Sequence, residues 1–262
     1  MDTRVARPVA IVAGGGIGGL VAALCLEEAG IHAVVYEAAR EIRALGVGIN
    51  LLPHAVRVLS ALGLADRLAA TGVATTDLRY FTKRGEPIWS EPRGIDAGYR
   101  WPQYSIHRGE LQLLLLDAVR TRLGHDRVVT GHRLDGFTQG ADDVSVRFTD
   151  RTNGDAPVTV PGDLLIGADG IHSAVRAHYY PDETEPVFSG RLLWRGVTEA
   201  PPFLSGRTMI MAGHADQKFV AYPIGAGSNG RVRINWIAER RVGGDVVPVA
   251  RDWNRVVDVE TF

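Results

Sequence analysis

Residues 9–37 read VAIVAGGGIGGLVAALCLEEAGIHAVVYE, and this stretch decides the fold. Val9–Ala13 is a short apolar run rich in β-branched residues, which by length reads as a buried strand. Gly14-Gly15-Gly16-Ile17-Gly18-Gly19 follows at once. Ile17–Ala29 then reads as a helix with Gly30 as its stop signal. Ala33–Tyr36 reads as a second strand, with Glu37 at its end. Strand, helix and strand in so few residues form a βαβ unit, whose parallel pairing requires a right-handed crossover.

Gly14, Gly16 and Gly19 satisfy G-x-G-x-x-G in the context that gives the motif meaning, a strand before it and a helix after it. Gly14 allows the tight turn, Gly16 lets a pyrophosphate approach the backbone, and Gly19 lets the helix pack closely on the strand. The free N–H groups and positive end of the helix then face the phosphates. Glu37 lies 18 residues beyond Gly19, near the ~20 at which an acid accepts hydrogen bonds from a ribose. A glycine-rich turn in an unrelated α/β fold is the plain alternative. The strand, helix, second strand and terminal acid together favour dinucleotide binding. Glu37 favours an unphosphorylated adenosine ribose and does not separate FAD from NAD.

The same region has a second reading. Residues 8–26 carry no charge and follow Arg4 and Arg7, as a signal peptide or a membrane span would. Five glycines at positions 14–19 weaken the helix that either would need. No targeting segment and no membrane partner are expected.

Composition narrows the class. The chain has 262 residues, 45% of them apolar and 23% charged, which excludes disorder as the main state. A net charge of −1 sets up no global field for nucleic acid. The single cysteine, Cys25, excludes an intrachain disulfide and a cysteine zinc site, and fits a reducing cytoplasm. The histidines show no metal-binding spacing such as H-E-x-x-H, so no metal site is expected. Oligomeric state is not readable.

Further along, His54–Leu62 reads as an amphipathic helix. Leu78–Thr82 and Glu86–Ser90 read as a hairpin around Lys83-Arg84-Gly85. Arg108–Leu123 is a strong helix pattern. Val128–Thr130, Arg133–Thr138, Val144–Thr149 and Val158–Val160 are strand candidates, with Asn153-Gly154-Asp155 as a hairpin signal. From Arg191 onward the pattern is all strand: Arg191–Thr198, Arg207–Met211, Lys218–Ile224 and Arg231–Ala238.

Residues 164–176, LLIGADGIHSAVR, form a further strand and turn, with a helix starting at Ile171 and with Ser173 and Arg176 on its first turns. Asp169 lies at the mouth of the parallel sheet, where ligands of such sheets bind. Asp169 as a helix cap is an equal reading of this stretch alone.

With Gly14–Gly19 and Glu37, the run Asp169-Gly170-x-x-Ser173-x-x-Arg176 resembles the single-component FAD-dependent aromatic hydroxylases of the p-hydroxybenzoate and salicylate hydroxylase group. Residues 41–56, 87–96, 101–112, 167–178, 194–199 and 220–224 resemble its phenazine-hydroxylating members. The resemblance implies an α/β fold in which a Rossmann-like FAD-binding domain (1–76 and 104–178) interleaves with a mostly antiparallel substrate-binding sheet domain (77–103 and 179–262). It implies FAD as cofactor and NADH or NADPH as co-substrate. A flavin hydroperoxide formed with O₂ would then hydroxylate a small, phenazine-carboxylate-like aromatic. By the same resemblance Asp169 serves FAD and the nicotinamide nucleotide, segment 41–49 passes the FAD ribose and the flavin edge, Arg108 at its helix start reaches the FAD phosphates, and Leu134 meets the adenine through its backbone. Arg43 suits the same phosphate task, and ordinary surface arginines are the alternative reading of Arg43 and Arg108. Forked guanidinium donors suit phosphate.

Trp194, Phe219, Tyr222 and Trp236 are candidates for the substrate wall, and each is equally a candidate for plain sheet core. Trp194 and Tyr222 are the two substrate-site expectations. No catalytic acid or base is named, because the cofactor carries the hard chemistry. One departure stands out. The family's later Gly-Asp-Ala-Ala-His motif is absent, and Gly244-Asp245 is followed by Val246-Val247-Pro248. An inactive or split FAD-binding fragment is therefore the alternative expectation. A plain NAD-dependent dehydrogenase fits less well, given the Asp169-Gly170 motif and the late all-strand region.

Overall fold

The computed structural model describes residues 8–184 and 186–242. Arg4, Arg7, Gly244-Asp245 and the expected sheet-domain residues 243–262 lie outside the described residues.

The chain opens with β1 (Val9–Ala13), α1 (Ile17–Glu28) and β2 (His32–Glu37). The strands pair in parallel with Ile11 opposite Val34. The segment β3 (Gly48–Leu51), α2 (Pro53–Ala61), α3 (Ala65–Thr71) and β4 (Val73–Thr75) follows, then the hairpin β5 (Asp77–Phe81) and β6 (Pro87–Pro92). β7 (Gln103–His107) lies antiparallel between β3 and β4. It runs straight into α4 (Arg108–Leu123), and β8 (Val128–Thr130) joins β2 in parallel.

Next, β9 (His132–Gln139), β10 (Val144–Asp150) and β11 (Ala156–Gly162) make a three-stranded antiparallel sheet. β12 (Leu164–Gly167) returns beside β1, completing a parallel sheet of order β12-β1-β2-β8. After α5 (Ala174–Tyr179) come β13 (Arg191–Ala200), β14 (Thr208–Gly213), β15 (Gln217–Ala226) and β16 (Val232–Arg241). These four join the hairpin in a six-stranded sheet of order β13-β16-β15-β14-β5-β6, in which only the β14–β5 pair is parallel.

The main core explains the first sheet. Ala10–Ala13 are buried, as expected for a strand covered on both faces. Leu20 and Leu24 of α1 and Leu111, Leu115 and Val119 of α4 pack into one apolar cluster with Val12 and Val35. Each such fully buried side chain contributes roughly 1.5–3 kcal/mol relative to exposure. Truncating Leu115 to Ala would cost about 2–5 kcal/mol. α4 is held at its start by the His107 ring, which accepts from the Glu110 N–H, and it ends at Gly124 with φ +116°. A second cluster, Ile11, Phe137, Val144, Val146 and Phe148, joins the β9–β11 sheet to β1. Tyr36 stacks on Phe148 beside it, with ring centroids 4.5 Å apart.

The structure departs from the sequence reading in places. α3 and the short strands β3, β4 and β7 had no expected counterpart. The last helix of the first region begins at Ala174 rather than Ile171. Ser173 is its cap, accepting from the Arg176 N–H at 2.9 Å, so Ser173 stands outside the helix and not on its first turn. Among the described residues no helix is long and apolar enough to cross a membrane. Nor does any group of three or more His, Cys, Asp or Glu among them suit a metal ion.

The six-stranded sheet meets the α/β part through one of its faces. Side chains alternate along a strand, and the register places Val197, Asn235 and Tyr222 in one cross-strand row. Asn235 Oδ1 accepts from the Gly48 N–H at 2.7 Å, and the Tyr222 hydroxyl donates to the Gly48 carbonyl at 3.0 Å. Arg233, two residues from Asn235 and so on the same face, forks onto the Glu110 carboxylate of α4, with one arm at 2.9 Å.

Candidate cofactor and substrate site

The two glycine-bearing motifs meet at one edge, the carboxyl ends of the neighbouring strands β1 and β12. Gly14 has φ +112°, and a Cβ there would lie 2.2 Å from the Ala168 carbonyl oxygen. A Cβ on Gly19 would lie 1.9 Å from the Gly14 carbonyl oxygen. Gly19 thus lets α1 close on the Gly14 turn and on Ala168 just beyond β12, where the sequence reading expects contact with the strand. Gly16 differs from both, because a Cβ there would meet nothing within 4 Å. Gly16 caps α1 without a side-chain bond, and no acid sits in the first turn. The opening therefore presents backbone N–H groups at the positive end of a helix, the requirement for holding a phosphate.

Glu37 closes the other side of this loop. Its carboxylate accepts from the Gly15 N–H at 2.6 Å and from the Ala39 N–H at 2.7 Å. Gly15 is held from behind as well, since Gln112 of α4 donates to its carbonyl at 2.9 Å. Gln112 was not singled out from the sequence. Its only signal was a polar residue among the apolar positions of α4.

Asp169 accepts from the Ser173 hydroxyl and from the Ala174 N–H, each at 2.6 Å. Of the two readings left open, capping is the bond the side chain makes here. The Asp169 turn nonetheless abuts the Gly14 turn, because Gly14 is pressed against Ala168 and Asp169.

Arg43 lies within segment 41–47, and Arg108 lies alongside it. Arg43 is exposed and pairs with Glu41 at 2.6 Å. The Arg108 N–H donates to the Val47 carbonyl at 2.9 Å, and its side chain runs along Gly46, whose φ is +109°. Gly109 then lies hard against Ala44, where a Cβ would come within 2.4 Å of the backbone. The segment is thus laid across the start of α4. Leu134 sits apart, with its side chain packed against the second core beside Phe148.

Trp194 and Tyr222 are not brought together. Trp194 shares a cross-strand row with Ala238 and Phe219, while Tyr222 pairs with Asn235 and Val197. The two rows point to opposite faces. Trp194 and Phe219 line a cavity of about 260 Å³ on the outer face, with Lys83, His214 and Arg240 at its rim. Trp236 lies on that face too, its ring over Gly196, where a Cβ would come within 2.5 Å of it. A shared substrate wall of all four aromatics is therefore excluded by register. Tyr222, on the inner face, is buried and bonded to Gly48. Burial pushes its hydroxyl up to about 12, with the charge of Arg195 pulling the other way.

A family model described as an FAD binding domain matches residues 7–258. The chain belongs to this FAD-binding-domain family. It is 49% identical over 231 residues to a phenazine 1,6-dicarboxylic acid hydroxylase of Lysobacter antibioticus, covering 87% of this chain and 57% of that protein. It is 36% identical to a 3-amino-4-hydroxybenzoate 2-monooxygenase of Streptomyces cremeus, covering 86% and 55%. Among solved structures it is similar to Klebsiella pneumoniae HpxO complexed with FAD and uric acid, with a TM-score of 0.76, 28% identity, and coverage of 91% and 58%. The expected resemblance to FAD-dependent aromatic hydroxylases, and the mixed α/β architecture, agree with these FAD-binding-domain relatives. The chain spans just over half the length of each of these three.

Proposed function

We propose that this chain forms the FAD-holding and substrate-facing portion of an NADH- or NADPH-consuming aromatic monooxygenase, acting with O₂ on a phenazine-carboxylate-like ring. The observation that carries the reading is the loop at Gly14–Gly19: pressed shut at Gly14 and Gly19, open at Gly16, and fixed by Glu37. FAD, when bound, supplies the transfer of electrons from a nicotinamide nucleotide and the activation of oxygen.

The residues supply binding and orientation. In this reading the N–H groups after Gly16 hold the pyrophosphate, and Glu37 stands at the adenosine ribose. Arg108 and Arg43 neutralise phosphate charge, Leu134 borders the adenine, and Asp169 orders the adjoining turn. Residues 8–76 and 104–178 form the cofactor part, while 77–103 and 179–242 form the sheet against which an aromatic ring is placed. The joint at Gly48 sets the spacing between the two parts. The inner face carries the substrate, because it is the face turned toward the cofactor part. That choice leaves Tyr222 as a holder of Gly48 and moves Trp194 out of the substrate wall.

The test is the visible spectrum of the purified chain after FAD addition and dialysis. A retained flavin spectrum is expected, followed by oxidation of NADH or NADPH stimulated by phenazine carboxylates. A colourless protein overturns the cofactor assignment. Retained flavin without oxidation would remove turnover and leave binding.

A further inference from the structure

We propose that Arg195 reads the ring carboxylate of the substrate and so sets the preference of the site for an aromatic acid over its uncharged counterpart. The inference rests on the aromatic-substrate reading above.

The register supplies the geometry. Arg195 pairs with Ile237, Ile237 with Val220, Val220 with Met211, and Met211 with Tyr80. This row lies two residues along the strands from the row of Val197, Asn235 and Tyr222, and therefore on the same inner face. Four strands separate Arg195 from Met211 by three steps of about 4.8 Å, roughly 14 Å of wall. Ile237, Val220 and Met211 are half-buried and Arg195 is exposed. The wall thus offers an apolar bed with a guanidinium at one end.

Position singles out Arg195 among the cations of this face: it shares the row of Ile237, Val220 and Met211, whereas Arg233 lies on the other side of the Gly48 joint and forks onto Glu110. Arg191 and Lys218 stand farther out along the strands, in and beyond the row of Leu193 and Glu239. Arg195 stands one row from the Gly48 joint, close enough for its charge to act on the Tyr222 hydroxyl. A ring carboxylate moved from water onto an apolar bed needs a charged partner. A guanidinium meets a carboxylate with two parallel donors, which fixes the direction of the ring as well as its charge. Arg195 is in this sense a specificity-determining residue and takes no part in proton transfer.

The experiment measures binding of phenazine-1-carboxylate and of uncharged phenazine to the FAD-supplemented chain, by quenching of tryptophan fluorescence. Arg195→Gln, Arg195→Lys and the outer-face control Arg240→Gln are compared with wild type. The unmodified chain is expected to prefer the carboxylate. Arg195→Gln should lower carboxylate affinity by about 10- to 100-fold, the range for a charge-assisted hydrogen bond, and leave phenazine unchanged. Arg195→Lys should recover part of the loss, and Arg240→Gln should change neither ligand. Equal binding of both ligands to wild type overturns the assignment and leaves the aromatic reading standing. So does a preference that survives Arg195→Gln, or one that Arg240→Gln removes equally. Binding of neither ligand by a chain that retains FAD overturns the assignment together with the aromatic reading.

Discussion

Oε2 of Glu37 accepts from the Gly15 N–H at 2.6 Å, so the acid at the end of β2 shapes the loop at the end of β1. Its other oxygen holds the Ala39 N–H. Gln at this position would keep one acceptor and turn an amine toward the other N–H. Glu37→Gln is expected to cost about 1–3 kcal/mol, the range for a lost hydrogen bond to a charged group. For a chain of this size that is a fall in Tm of roughly 3–10 °C. FAD affinity should fall with it, by tenfold or more. Thermal denaturation and a flavin fluorescence titration check both. An unchanged Tm would show that Glu37 does not brace the loop.

Gly16 and Gly19 separate folding from binding. Alanine at Gly16 places its methyl in open space, so the fold should lose about 1 kcal/mol or less, as for a mild change of helix cap. The methyl occupies the approach to the helix end, so FAD affinity should drop by an order of magnitude or more. Alanine at Gly19 meets the Gly14 carbonyl at 1.9 Å, and the backbone has to move. That variant should lose about 1–3 kcal/mol or more of stability as well as FAD. Equal FAD binding by Gly16→Ala and wild type would remove the phosphate from this opening.

The same loop shows what a sequence can carry. Its strand, turn and helix are contiguous, so periodicity and glycine spacing were enough to place them. β1, α4, β8 and β12 fall where the apolar runs put them. α3 was missed because Leu68 is its only buried side chain, too little for a periodic signal. β4 is three residues long, below what alternation can reveal. The separation of Trp194 from Tyr222 depends on the register of β13, β16 and β15, which is set by the turns between them. A one-residue slip would exchange the faces. The bonds of Asn235 and Tyr222 to Gly48 span 187 and 174 residues, and nothing local announces them.

Arg233 and Glu110 tie the six-stranded sheet to α4. The hydrogen bonds from Arg233 hold the Glu110 carboxyl below the usual carboxylate range, against a burial effect that raises it. A depressed carboxylate contributes stability above its unfolded pKa, about 4.3, and that contribution is lost as pH falls through the folded value. Glu110→Gln should therefore cost about 1 kcal/mol at pH 7, a figure reduced by partial exposure. The difference from wild type should shrink below about pH 4. Urea unfolding between pH 3 and pH 7 measures this. A difference that does not vary with pH would mean that the pair adds no net electrostatic stability.

Tyr222 gives the opposite pH limb. Its hydroxyl donates to the Gly48 carbonyl in a buried position, and burial raises its pKa to about 12. A raised pKa contributes stability that is whole below the unfolded value, about 10, and is lost as pH rises toward 12. At about 1.4 kcal/mol per unit, the loss is on the order of 2–3 kcal/mol. Tyr222→Phe should remove the Tyr222 share of the alkaline limb and leave the share of Tyr36, Tyr80 and Tyr104, whose hydroxyls burial also raises. At pH 7 it should cost about 1–3 kcal/mol, because the Gly48 carbonyl loses its donor. The variant keeps the ring that fills the space, so a fall in stability reports the hydroxyl and not the packing. Since the bond joins the sheet to the segment beside Arg108, FAD affinity should fall less than in Gly16→Ala, while binding of the aromatic acid weakens more. Absorbance at 295 nm follows the titration, and the two ligand titrations follow the joint. A Tyr222→Phe protein with wild-type stability at pH 7 and an alkaline limb undiminished from wild type would show that the Tyr222 hydroxyl does not hold the joint, leaving it to Asn235 and to the Arg233–Glu110 pair.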